Sequence, residues 1–388
     1  MPSARAIERE LPGSVRRAYI SMPPDSLLFS VVAILVGIGL VMIFSASSAL
    51  AFTAHHDSTY YLKRQLIWLA VALVCAFFAY KVDYRALRKL GPLALVLSIV
   101  SLLLVLVPHV GVVVNGAHRW LGAGPLTLQP SEFAKLALVL YLAAKLSTRG
   151  ERITSLVRGL FPLCIALGIV VMLVLKEPDM GTASLLAMVA FTMFFAAGAR
   201  IEHLVLLFLV TVPAVAITVL SSPYRRARVL AFLNPWKDPQ NAGFHIVQSL
   251  LALGSGGILG VGLGASRAKF FYLPEQYTDF IFAVLGEELG LIGALGVIVL
   301  FVIFAYRAVR IALSAPDRFG FFLALGCTAL IVIQAFINIG VVTSSWPVTG
   351  VPLPFVSFGG SSLVVSLTAV ALIINIGRHR RLNADTLG

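Results

Sequence analysis

The chain has 388 residues, of which 59% are hydrophobic and 12% charged, and its mean hydropathy is +0.96. That balance excludes a water-soluble globular protein and a disordered one, leaving a polytopic membrane protein built from helices of roughly 20 apolar residues. Lys and Arg outnumber Asp and Glu by 30 to 17, a net charge of +13; in so apolar a chain this reads as basic loops against anionic lipid, with no nucleic-acid partner.

Arg5, Arg9, Arg16 and Arg17 precede the first apolar run. The run from Leu27 to Phe44 is too long for the hydrophobic part of a signal peptide, so an uncleaved first span after a cytoplasmic tail over 1–26 is expected. Reading apolar runs between polar breaks gives ten helices, at about 27–48, 65–82, 90–108, 131–147, 160–176, 180–198, 203–221, 280–307, 319–343 and 361–378. The expected fold is an all-α polytopic bundle forming one integral membrane domain over 1–388. Lys81, Arg85, Arg88 and Lys89, then Lys145, Arg149, Arg152 and Arg158, then Arg200, then Arg307, Arg310 and Arg318, and finally Arg378, Arg380 and Arg381 mark one side as cytoplasmic. Both termini, including the tail over 379–388, are expected there.

Three charged clusters fall on the opposite side. Asn115-Gly116-Ala117-His118-Arg119-Trp120-Leu121 leads into the fourth helix, where Ser131 is a plausible cap and Glu132 and Lys135 share a face at i, i+3. A simple anchoring ion pair would explain that pair equally. Lys176-Glu177-Pro178-Asp179 fills a short turn, which Pro and Asp favour whatever the function. The stretch 222–279 is the one long connection, an extracytoplasmic loop carrying Arg225, Arg226, Arg228, Lys237, Arg267 and Lys269. A short amphipathic helix around His245 to Leu253 is expected in it, and its glycine run from Gly254 to Gly264 lacks the features of a phosphate-binding loop. Close backbone packing explains those glycines more simply.

The loop ends in Lys269-Phe270-Phe271-Tyr272-Leu273-Pro274-Glu275-Gln276-Tyr277-Thr278-Asp279, at the start of the eighth span. Thr278 or Asp279 can cap that helix, which would account for Asp279 without any chemistry. An Asp between aromatic residues at the water boundary also suits a proton acceptor for a hydroxyl. Glu287 and Glu288, two turns deeper, read as structural partners, and Asn338 as a polar group in need of one. The uncharged, Pro- and Gly-rich stretch from Pro347 to Ser362 must be buried or line a cavity, and is read as a cavity wall. Cys75, Cys164 and Cys327 lie far apart in apolar runs and read as packing residues, and the histidines form no metal site.

The strings GAHRWL, QPSEFAKL, KEPDMGTA, LGSGGILGVGLGASRAKFFYLPEQYTDFIFAVLGEELG and PVTGVPLPFVSFGGSSL resemble the SEDS family of bacterial cell-wall polymerases, which includes FtsW, RodA and SpoVE. The resemblance runs from about Asp25 to Arg381, and the string around Asp279 is closer to the FtsW-like division members. Ser344-Ser345-Trp346 departs from the usual Gly-Leu-Leu type of sequence there. The resemblance implies a GT-C-like peptidoglycan glycosyltransferase of the bacterial inner membrane, placed at the division septum. It would act on lipid II at the outer leaflet and release undecaprenyl pyrophosphate by an inverting transfer. Asp279 matches the family's essential aspartate, Glu132 and Lys135 a charged pair near the cavity, and Asp179 a polar group on the same side. Arg119, Lys135, Lys176, Lys269 and the Arg225-Arg226-Arg228 group are candidate cations for the leaving pyrophosphate, with Glu275 beside them. A divalent cation, Mg or Mn, bridging pyrophosphate and carboxylate is the open alternative. The family works with a class B penicillin-binding protein and other divisome proteins. A lipid II flippase and a non-catalytic transpeptidase scaffold are the competing readings. The first would show internal repeats, and none is evident.

Overall fold

The computed structural model describes residues 25–379, apart from 109–110, 115–116, 124–125, 222, 242, 268 and 270–272. Arg5, Arg9, Arg16, Arg17, Asn115, Gly116, Phe270 to Tyr272, Arg380, Arg381 and the side chains of His118 and Arg225 therefore lie outside the described residues. Ten α-helices stand at the ten expected positions: α1 (Ser26–His55), α2 (Tyr60–Lys81), α3 (Tyr84–Val105), α4 (Pro130–Arg149), α5 (Phe161–Lys176), α6 (Met180–Ala196), α7 (Ile201–Leu220), α10 (Ile281–Leu313), α11 (Arg318–Val342) and α12 (Gly360–Arg378). The long connection holds two shorter ones, α8 (Pro223–Leu233) and α9 (Phe244–Gly256), the second where the amphipathic helix is expected.

Among the described residues, seven helical segments are long and apolar enough to cross a membrane on their own. Of the other three expected spans, α4 carries Glu132, Lys135 and Lys145 inside its length and α6 has only 17 residues, while α7 is an apolar helix of 20 residues. The result is a multi-pass helical membrane protein. Helices α11 and α12 are its centre, with 72% and 94% of their apolar windows buried, whereas α2 has 17% and sits at the periphery. Exposed Phe208, Leu209 and Val210 on α7 are of the kind that lipid covers.

Aspartates start four of the helices. Asp25, Asp83, Asp179 and Asp317 accept backbone N–H groups of Leu28, Arg85, Thr182 and Gly320, satisfying donors that a helix start leaves open. Two of them also tie one end of the bundle together: Asp25 pairs with Arg307 at 2.6 Å, and Asp317 accepts the Tyr84 hydroxyl beside Arg85. This is the end that bears the basic loops. The opposite end carries Arg119, Asp179 and Asp279.

Two expected caps are corrected. Helix α4 begins at Pro130 with Gln129 as its cap residue, so Ser131 lies inside the first turn and instead accepts the Gln129 side-chain amide. Pro130 explains the shift, since a proline is best placed in the first helical turn. Helix α10 begins at Ile281 with Phe280 as its cap residue and no side-chain cap, so Asp279 is not holding the helix start.

The all-α expectation also missed a small antiparallel sheet, β1 (Val112–Val114), β2 (Ala117–Ala123) and β3 (Leu126–Leu128), in the order β1-β2-β3. Val112-Val113-Val114 followed by Asn115-Gly116 is a hairpin signal.

Helix α10 is broken at Gly290, where φ is +69°. The break frees peptide groups that the glycine run then satisfies: Val261 and Gly262 donate to the carbonyls of Glu287 and Glu288, and Leu291 and Ile292 donate to those of Gly257 and Ile258. The strands of backbone approach so closely that a Cβ on Gly290 would lie 2.3 Å from the Gly260 nitrogen, and one on Gly260 would lie 2.2 Å from the Glu288 carbonyl oxygen. Close backbone packing is thus what Gly256, Gly260 and Gly290 provide, whereas Gly254, Gly257, Gly262 and Gly264 face open space, the last three at positive φ. Gly290→Ala should cost about 1–3 kcal/mol in backbone strain alone, with the clash added. A detergent-solubilised variant with an unchanged unfolding temperature would show that the break is dispensable.

Candidate functional site

Asp279 sits between the long connection and α10, and its backbone is held from three directions. Asn338 on α11 donates to the Asp279 carbonyl at 2.7 Å and to Val351 O at 2.8 Å. Phe358 donates to the Tyr277 carbonyl at 2.9 Å, and the Gln276 side chain donates to Ala46 O of α1 and to Lys269 O. The partner expected for Asn338 is therefore the segment that carries Asp279. The uncharged stretch before α12 forms the facing wall: Gly350, at φ +72°, passes so near that a Cβ there would lie 3.3 Å from Asp279 Oδ2. Only glycine combines that conformation with that clearance.

The Asp279 carboxyl is crowded by protein, although part of its surface remains exposed. Its pKa is raised from 3.8 to about 7, by burial first and then by the charges of Glu275 and Asp179, against the opposing charges of Arg228 and Arg119. It is a carboxyl that exchanges its proton near neutral pH. Arg119 on β2 reaches the turn between α5 and α6, where its Nε donates to Glu177 O at 2.8 Å and its Nη2 to Pro178 O at 2.7 Å. Asp179 in the same turn accepts from Thr182 N and Thr182 Oγ1. Arg119, Asp179, Glu275 and Asp279 are thus brought to one place from three separate parts of the chain.

Glu132 and Lys135 form an ion pair of 2.7 Å that is almost completely buried. Lys135 also donates to Gln334 Oε1 at 2.8 Å, and Gln334 in turn donates to Pro352 O and Ser362 Oγ. Gln334 and Asn338 lie four residues apart on α11, hence one turn apart on one face. One turn of α11 therefore separates the contact to the charged pair from the contact to Asp279. Lys269 points elsewhere: it pairs with Glu288 at 3.8 Å and donates to Gly264 O. Glu288 accepts the Ser45 hydroxyl, while Glu287 accepts Ser266 Oγ and Arg267 N, so both glutamates anchor the loop. Lys176 closes α5 beside Glu177. Sequence reasoning did not name Gln334, and took Gly350 only as part of a cavity wall and Glu177 only as part of a turn. The first two act through position, which composition does not mark; the third was hidden by a turn that reads as ordinary.

The family model described as a cell cycle protein, for FtsW, RodA and SpoVE, matches residues 25–382. The chain belongs to this family. Stage V sporulation protein E of Bacillus subtilis is 47% identical over 361 residues, covering 92% of this chain and 98% of that protein. A protein named probable peptidoglycan glycosyltransferase FtsW, from Trichlorobacter lovleyi, is 45% identical over 368 residues, covering 95% and 97%. Among solved structures, a chain from a peptidoglycan synthase complex that coordinates polymerization and crosslinking superposes with a TM-score of 0.76 at 32% identity, covering 94% of this chain and 100% of that one. The rod shape determining protein RodA of Thermus thermophilus superposes at 0.68 with 30% identity, covering 93% and 99%.

Proposed function

We propose that this chain is a peptidoglycan glycosyltransferase that polymerises lipid II, with Asp279 as its base. The observation that carries the reading is a carboxyl tuned to about 7, set at the end of a membrane bundle away from its basic loops. The positive-inside rule then puts Asp279 on the outer face of the bacterial inner membrane and both termini in the cytoplasm. The lipid tails lie in the bilayer and the sugars in water, so a site at that boundary serves both.

In the reaction the C4 hydroxyl of one disaccharide attacks the anomeric carbon of another. Asp279 takes the hydroxyl proton, the new glycosidic bond forms with inversion, and undecaprenyl pyrophosphate departs with the bonding electron pair. Pyrophosphate is a good leaving group, so the second carboxyl that glycosidases need as an acid has no obligatory counterpart. What it needs is positive charge, and Arg119 and Arg228 both act on Asp279. Among the described residues no three His, Cys, Asp or Glu side chains are placed to hold a metal ion. The kinship to FtsW and SpoVE favours a septal role, with a class B penicillin-binding protein and other divisome proteins as partners.

The test combines purified protein, its cognate transpeptidase and labelled lipid II, with and without Mg or Mn, and separates glycan products on a gel. Long glycan from wild type and none from a folded Asp279→Asn variant is the expected result. Polymer from both would remove Asp279 from the mechanism, and polymer from neither would favour transport or scaffolding.

A further inference from the structure

Glu177 is a titratable group for which the reaction has no use. It lies in the turn between α5 and α6 with no solvent exposure, and neither carboxyl oxygen has a hydrogen-bond partner among the described residues. A buried carboxylate in that condition is costly, and the group responds by keeping its proton. Its neighbours sharpen the point. Arg119 binds the carbonyls of Glu177 and Pro178 and makes no hydrogen bond to the Glu177 carboxyl, so the turn holds the guanidinium with neutral acceptors.

We propose that Glu177 is a positioning residue for Arg119: in its neutral form it leaves the guanidinium charge available to an anionic substrate group of the pyrophosphate class, and in its ionised form it takes that charge. This rests on the glycosyltransferase reading. The charged group that acts on the pair is Asp179 ahead of α6, with Asp279, Glu275 and Arg228 beyond it, while Lys176 at the end of α5 is exposed. Burial first, then Asp179, raises the Glu177 pKa to about 8, against the pull of Arg119. Glu177 therefore begins to ionise just above the range in which Asp279 becomes a base.

Two measurements on the complex with its transpeptidase, between pH 6 and 9.5, test this. Binding of undecaprenyl pyrophosphate and the KM for lipid II should each weaken by about tenfold as pH rises through about 8 in wild type, the loss of one close charge contact. Both should stay flat in Glu177→Gln, with kcat at pH 7 preserved. An alkaline loss that persists in Glu177→Gln, or a fall in its kcat at pH 7 with normal KM, overturns the proposal. Should Glu177→Gln not fold, Glu177→Leu repeats the test; failure of both to fold assigns the residue a structural task and also overturns it. Absence of polymer from wild type, with the pH-dependent binding intact, would count against the glycosyltransferase reading alone.

Discussion

Asp279→Asn should reduce glycan polymerisation by about 10²–10⁴-fold, the usual worth of a positioned general base, while the protein still inserts and folds. The structure separates these outcomes because Asp279 caps no helix, so its carboxylate is not needed to start α10. The stability sign is also determined. The folded-state pKa of about 7 lies above the ordinary 3.8, so the carboxyl's favourable contribution is complete below about 3.8 and is lost as pH rises through about 7. At pH 8 the amide should therefore unfold at a temperature no lower than wild type. In wild type, kcat/KM should fall tenfold per pH unit below about 7, because the base must be ionised. Glu275→Gln removes a charge that raises this pKa, and should move the acidic limb to lower pH. A limb that stays in place would show that Glu275 is not electrostatically coupled to the base.

The second large effect is expected at the charged pair of α4. Lys135→Met leaves Glu132 buried with its only ion partner among the described residues removed, and also removes the donor to Gln334. Breaking a buried pair from one side costs about 3–5 kcal/mol. The loss should appear as a large drop in unfolding temperature in detergent. Adding Glu132→Gln should restore most of it, since no charge is then stranded. Recovery of stability without recovery of polymer would show that the pair serves the site as well as the fold. No destabilisation in the single variant would mean that water reaches Glu132.

The ten helices and the loop helix were legible because apolar length and charge breaks are local properties. So was Asp279, whose setting after Pro274 and between aromatic residues is written in a dozen positions. The break at Gly290 was not legible, since a single glycine inside an apolar run carries no sign that a segment thirty residues earlier will complete its hydrogen bonds. The caps were misplaced by one or two residues because Pro130 and Phe280 could each stand on either side of a helix start. The destination of Lys269 also escaped, because its partner Glu288 becomes a neighbour only after the loop folds back.

The break in α10 has a consequence for how the chain is made. The carbonyls that receive Leu291 and Ile292 belong to Gly257 and Ile258, which leave the ribosome first. The groups that complete the interrupted helix therefore exist before the interruption does, and α10 meets its mate as it enters the bilayer. Had the glycine run been encoded after α10, the same peptide groups would have faced hydrocarbon bare until it arrived. The order of synthesis thus puts the loop's share of these bonds ahead of the helix's own.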